Sequence, residues 1–311
     1  MVTPDHGYHG NTTGAIDISA YKFNAPGGIG PSPHVALVDC PDIYRGAHRG
    51  ADAGERYAAQ VDDAIARLAL AGHGVAGFIA ETFPSVGGQI IPPEGYLAGV
   101  YARIRAAGGI CIADEVQTGL GRLGSHWMAY ETQGVIPDVV VLGKPIGNGH
   151  PLGVVITRPG IAAAFAEGPE FFSTFGGSTL SCVVGREVLR IVEDERLMQN
   201  AAAMGARMLE GLRALQEGHP IIGDVRGMGL FLGVDLVTDR ETRHPATVQA
   251  SYVMNRLAEK RVLIGREGPA DNILKVRPPL TIDASGVDHF LAAFGEVLAE
   301  TGAQVTALRT A

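Results

Sequence analysis

Asp114 and Lys144, an acid and an amine thirty residues apart, are the pair in this chain whose types and placement could do chemistry together. Each closes a short apolar run. Residues 110–113 run into Asp114–Glu115, and residues 139–142 run into Gly143–Lys144. Apolar runs of this length, bounded by Gly, Pro and polar residues, read as strands buried on both faces. In an open α/β sheet, ligands collect at the carboxyl ends of the strands, so both groups are expected at one rim of one sheet. A lysine in an apolar, partly dry site has a lowered pKa and forms a Schiff base with an aldehyde. A nearby carboxylate keeps a pyridine nitrogen protonated, which makes that ring an electron sink. These are the two protein groups that a pyridoxal phosphate (PLP) site needs most. Taken singly, each has an ordinary reading, a solvated Lys and a helix-capping Asp. An apolar run ending in Asp–Glu also fits the metal strand of a nucleotidase. That alternative requires a phosphate-cradling G-x-x-x-x-G-K-[ST] loop, and the sequence contains none.

The elements that must hold this pair follow from periodicity. Ala58, Val61, Ile65 and Leu68 fall at helical spacing within 55–71, and Leu97, Val100, Tyr101 and Ile104 do so within 93–107. Between them lies an apolar strand, 77–80, that ends on Glu81. A further strand is expected at 153–157. Residues 17–49 are rich in Gly and Pro and read as loop with one strand, 34–38. Alternating strands and helices predict an α/β fold with a mostly parallel sheet and right-handed crossovers. Residues 181–215 read as helix with a break around 194–199. Beyond it the pattern predicts strands 221–225, 230–236, 262–264 and 273–276 and helices 246–260 and 285–298, a small α/β domain. The expected domains are therefore 1–198 and 199–311, with no internal repeat or low-complexity linker.

Composition narrows the class. At 311 residues, 46% hydrophobic and 19% charged, the chain is long and apolar enough for two domains with a large core. Its net charge of −8 gives no electrostatic case for nucleic acid or an acidic membrane surface. No apolar run is long enough to span a bilayer, and the N-terminus has no signal-peptide pattern. Cys40, Cys111 and Cys182, odd in number and far apart, read as buried free thiols of a reducing, cytoplasmic compartment. His6 and His9 have H-x-x-H spacing but no intervening Glu and no evident third ligand, so no metal site is expected.

The stretches IADEVQTGLGRLG, PDVVVLGKPIGNGHPLG and FFSTFGGSTLSC, in this order, closely resemble class-III aminotransferases, PLP enzymes of fold type I. IDISAYKF, CPDIYRG, ETFPSVGGQIIPPEGY, GDVRGMGLFLGVDL and NILKVRPPL are similar to one subgroup, the ethanolamine-phosphate and hydroxylysine-phosphate phospho-lyases and their aminotransferase neighbours. The resemblance runs from about Tyr8 to about Leu280. It implies PLP bound through Lys144, with Asp114 on the ring nitrogen, Tyr8 stacked on one ring face and Val116 packed on the other. It further implies Gln117 on the ring hydroxyl oxygen and Glu81 close to the cofactor. Thr174 would reach the phosphate of a neighbouring subunit's cofactor, so a homodimer or larger homo-oligomer with shared sites is expected. His9, Tyr44, Arg45, Lys275 and Arg277 are the candidate substrate contacts. Family members carry well over a hundred residues before the segment that Tyr8 matches, including a phosphate-binding turn. The resemblance therefore implies a large domain that is incomplete at its N-terminal side.

Two departures bear on substrate. Members that exchange amino groups with glutamate commonly place an Arg three residues before Pro-Pro and a Glu five residues past the strand-end carboxylate. Here those positions are Lys275 and Val86. Lys does not reproduce the planar fork that grips a carboxylate bidentately. The expected activity is amino transfer from a primary amine or amino acid to an oxo acid. The alternatives are a phospho-lyase that eliminates phosphate from O-phosphoethanolamine or a similar phosphorylated amine, and a non-catalytic chain that retains the fold.

Overall fold

A computed structural model describes residues 1–309. Six strands form the first sheet: β1 (Val2–Pro4), β2 (Ala36–Val38), β3 (Gly77–Glu81), β4 (Ile110–Asp114), β5 (Val139–Leu142) and β6 (Val154–Thr157). Their order is β2-β1-β3-β4-β5-β6, parallel up to β5, with β6 antiparallel at the edge. The helices of this half are α1 (Thr13–Asp17), α2 (Ala20–Phe23), α3 (Ala53–Leu70), α4 (Tyr96–Ala106), α5 (Pro159–Ala166) and α6 (Thr179–Asp194). α3 and α4 bury the face marked by Ala58, Val61, Leu68, Leu97, Val100 and Ile104 against Phe78 and Cys111 of the sheet. A smaller cluster packs Val140 and Leu142 with Leu120 and Ile146, and Trp127 leans on it.

α7 (Leu197–Gly218) leads into a second sheet. It is built from β7 (Ile222–Met228), β8 (Phe231–Asp239), β10 (Gly265–Glu267) and β11 (Ile273–Val276), with β9 (His244–Pro245) paired to β8. α7, α8 (Thr247–Glu259) and α9 (Ala284–Arg309) cover it around Leu212, Leu236, Val253, Leu257 and Phe294. The expected helix break is the turn at Glu195–Arg196, where Arg196 takes a left-handed φ of 53°.

The structure departs from expectation in several places, and β1 and β9 are among the additions. α1 and α2 lie in the stretch read as loop, and α5 was not foreseen. The third strand of the second sheet is 265–267, not 262–264, because Gly265, Arg266 and Glu267 pair with β11. Cys182 is exposed on α6, so only Cys111 of the three thiols is fully buried; all three are free. No described helix is long and apolar enough to cross a membrane.

Candidate active site

The parallel register brings the chemistry together. Glu81 on β3 stands beside Asp114 on β4, and Asp114 stands beside Val141 on β5. β5 then passes through Gly143 into a tight 3-10 turn, Lys144–Ile146, and Lys144 itself takes a left-handed φ of 39°. A non-glycine residue in that region is uncommon and strained, and such strain gathers at functional positions. A Cβ on Gly143 would lie 3.3 Å from a Val116 methyl, so the strand end sits close against Val116.

The Lys144 amine is held below its ordinary pKa. Burial is the main cause, and the charges of Lys275 and Arg277 add to it; Glu81 and Asp114 act in the opposite sense. Asp114 is buried and fixed at both oxygens. Val116 N donates to Oδ1 at 3.0 Å, and His9 Nδ1 lies 2.7 Å from Oδ2. Glu81, also buried, accepts from Tyr8 N at 3.3 Å and Ser85 N at 3.1 Å. Burial, then the neighbouring charges of Asp114 and Glu267, push its carboxyl up to about 8. The Tyr8–His9 dipeptide thus straddles the two strand-end acids, one residue on each.

Lys144, Val116, Gln117, Arg122, Lys275 and Arg277 all line one cavity of about 800 Å³, together with the 145–152 turn. Arg122 donates to Leu230 O at 3.1 Å and Pro278 O at 3.0 Å. Arg277 donates to Ser85 Oγ at 3.2 Å and to both the side-chain and main-chain oxygens of Gln117. Neither guanidinium pairs with a carboxylate among the described residues. Burial pulls each down to about 10, and for Arg277 the charge of Arg122 contributes as well. Lys275 does find an acid. Its amine contacts Glu267, whose other oxygen accepts from Gln89 Nε2 at 3.0 Å and Ser85 Oγ at 3.2 Å.

Not every expected residue lines this cavity. Tyr44 and Arg45, candidates for substrate contact, make their contacts with the second sheet. Arg45 grips the fully buried Asp235 of β8 through Nε at 2.7 Å and Nη2 at 2.5 Å, and Nη1 donates to Arg243 O at 2.6 Å. Tyr44 lies with its ring between Arg45 and Arg243. Both tie the first sheet's loops to the second sheet. His9, also a substrate candidate, is buried against Asp114, with 3% of its side chain exposed. The Tyr8 ring meets Tyr21 edge-on at 5.9 Å, with Lys22 Nζ 5.4 Å from its centre. Thr174 is exposed, in a run where Phe171, Phe172 and Phe175 are 72, 79 and 85% exposed. Sequence reasoning missed Glu267 and Ser85. Their signal was weak, because Glu267 reaches Lys275 only through a hairpin register that periodicity did not reveal.

The donor set fits PLP where the described residues meet it. An amine with a lowered pKa suits the aldehyde, and a buried carboxylate held by two donors suits a protonated ring nitrogen. The chain matches the family described as Aminotransferase class-III over residues 1–298. It is 46% identical over 305 residues to alanine–glyoxylate aminotransferase 2-like of Drosophila melanogaster, covering 96% of this chain and 62% of that protein. A phospholyase from Arthrobacter in complex with phosphoethanolamine superposes with a TM-score of 0.89 at 38% identity, over 96% of this chain and 70% of that one. An amine transaminase from an uncultivated Pseudomonas species, in its PLP-bound form, gives a TM-score of 0.86 at 31% identity, over 96% and 69%. The chain spans 60–66% of the length of the curated relatives it matches.

Proposed function

Because the chain belongs to the class-III aminotransferase family, we propose that it acts as a PLP-dependent enzyme that moves an amino group from a primary amine or amino acid to an oxo acid. The observation that carries this reading is the buried Asp114 carboxylate on the strand next to a Lys144 amine of lowered pKa. When bound, PLP supplies an aldehyde that condenses with amines and a ring that accepts the electron pair left on the carbon next to nitrogen. Lys144 is the amine that would hold the cofactor, and its freed side chain would serve as the general base that moves a proton between the carbon next to nitrogen and the cofactor carbon. Its lowered pKa keeps more of it neutral and able to accept that proton. Asp114, oriented by Val116 N and His9, presents its charge to the ring nitrogen. Val116 would wall the ring, and Gln117, fixed by Arg277, would offer the contact to the ring oxygen. Thr174 and the exposed Phe171, Phe172 and Phe175 support a homodimer in which Thr174 serves the neighbouring subunit's cofactor phosphate. We place the domain boundary at 198/199, just past the turn between α6 and α7, and the protein in the cytoplasm, on the strength of its free thiols.

A second reading is favoured by a specific observation. Arg122 and Arg277 face the cavity without a carboxylate partner, and Lys275 replaces the fork that grips an α-carboxylate. Buried cations without an anion are costly, and an anionic substrate group relieves that cost. This favours a phospho-lyase acting on a phosphorylated amine such as phosphoethanolamine. The first steps at Lys144 and Asp114 are common to both reactions.

One experiment separates the two. The full-length PLP-loaded protein is incubated with phosphoethanolamine, with and without an oxo acid, beside Lys144→Ala. Phosphate release without an oxo acid supports the lyase; amino acid formed only with an oxo acid supports the transaminase. Activity undiminished in Lys144→Ala would refute both.

A further inference from the structure

His9 Nδ1 is spoken for by Asp114, but its other ring nitrogen is not. Nε2 is buried and makes no hydrogen bond among the described residues, and the same holds for the Thr3 hydroxyl on β1, in a residue that is 0% exposed. Polar groups left unpaired in the interior are rare and costly. These two face the same spot. A Cβ placed on Gly7 would stand 3.4 Å from His9 Nε2, 3.4 Å from Thr3 Oγ1 and 3.1 Å from Pro4 O. Gly7 does not take a positive φ, so the turn does not require glycine for its conformation. What glycine avoids is a methyl group pressed among three polar atoms.

From this juxtaposition we infer that a buried water bridges His9 Nε2, Thr3 Oγ1 and Pro4 O, and that through it Thr3 keeps His9 neutral with its one N–H directed at Asp114. The hydrogen count closes. Buried waters typically hold two to four polar partners, and here there are three. The water donates one hydrogen to the Nε2 lone pair and the other to Pro4 O. It accepts the Thr3 hydroxyl hydrogen. Pro4 O already accepts from Gly7 N at 3.2 Å, and its second lone pair serves the water. Nδ1–H then donates to Asp114 Oδ2, since a carboxylate only accepts. The His9 backbone is anchored as well, its N donating to Ser19 Oγ at 2.9 Å.

The consequence for the site rests on the reading that Asp114 serves a PLP ring nitrogen. A neutral His9 orients Asp114 without cancelling its charge, whereas an imidazolium would neutralise it before the cofactor arrived. Thr3 touches neither substrate nor cofactor and is a positioning residue. Gly7 keeps its place by being small.

The test uses the full chain labelled with ¹⁵N-histidine, together with a high-resolution crystal structure. In the wild type a water is expected within hydrogen-bond reach of all three atoms, and His9 is expected to show the resonances of a neutral ring protonated at Nδ1. Thr3→Ser retains both. Thr3→Val shifts the Nε2 resonance while Nδ1 stays bonded to Asp114. Gly7→Ala, whose methyl occupies the space, loses the water. Absence of the water from the wild-type crystal, an imidazolium signature, or an Nε2 resonance unmoved by Thr3→Val would overturn the inference. None of these readouts needs cofactor. A protein that shows the water and the neutral tautomer but fails to bind PLP would refute the proposed function and leave this inference standing.

Discussion

Replacing Glu81 by Gln tests how strongly the strand ends resist a second negative charge. The carboxyl is 4% exposed, and burial, Asp114 and Glu267 together raise it from an ordinary 4.5 to about 8. An unfolded chain gives up this proton near 4.5, whereas the folded chain keeps it until about 8. Over that window the folded state binds more protons, so stability falls as pH rises and levels off above the upper value. At about 1.4 kcal/mol for each pH unit, the cost reaches roughly 5 kcal/mol once Glu81 must be ionised in the fold. Gln cannot ionise and escapes that cost. Its amide nitrogen, however, cannot accept from Ser85 N as Oε2 does, which costs about 1 kcal/mol. Glu81→Gln is therefore expected to be slightly less stable than wild type near pH 4.5 and several kcal/mol more stable near pH 8.5. Urea unfolding of the cofactor-free protein across that range measures the difference. Curves that run parallel at every pH would refute the reasoning.

Four other perturbations have definite outcomes. Arg45→Ala leaves Asp235 buried with Asn272 at 2.8 Å and Arg226 at 3.6 Å, so it should lower stability by about 3 kcal/mol in urea unfolding while KM stays unchanged. Arg277→Gln should raise KM for phosphoethanolamine by about tenfold or more, from the loss of about 1.5–3 kcal/mol of charge-assisted bonding, and alter KM for an uncharged primary amine only slightly. Gly205→Ala drives a Cβ to 2.2 Å from Gly229 O, backbone that cannot swing aside, and should lower Tm by an amount corresponding to about 1–3 kcal/mol. Phe172→Asp, on the exposed 171–175 run, should convert a dimer to a monomer in light scattering, and an unchanged mass would count against that surface as the interface.

The centre of the site was legible because its strands are. Residues 110–113 and 139–142 are buried on one face and half-buried on the other, so both faces are apolar and the runs stand out, and the polar residues that end them mark the rim where ligands gather. The second sheet was less legible at one strand. Residues 262–264 are apolar enough to suggest a strand, yet the ladder uses Gly265–Glu267, selected by its register against Ile273–Val276. Gly265 opposes Lys275 and Glu267 opposes Ile273, which sets Glu267 and Lys275 diagonally on one face, within reach of an ion pair. No period in the sequence announces that pairing. α1 and α2 were hidden for a different reason. They have five and four residues, too short for a stripe, and α1 is capped at Thr12 by a single bond to Ala15 N at 3.4 Å. A loop arginine after an aromatic suits a substrate anion as well as a buried acid, and in this structure Arg45 is bonded to Asp235, 190 residues away.

Borohydride reduction of the full-length PLP-loaded protein, followed by peptide mapping, tests the central claim most directly. The sequence offers only four lysines, Lys22, Lys144, Lys260 and Lys275. The account predicts that the cofactor's mass is fixed on the peptide carrying Lys144, and that Lys144→Ala abolishes the label. Label on any of the other three lysines, or label that survives Lys144→Ala, would contradict it.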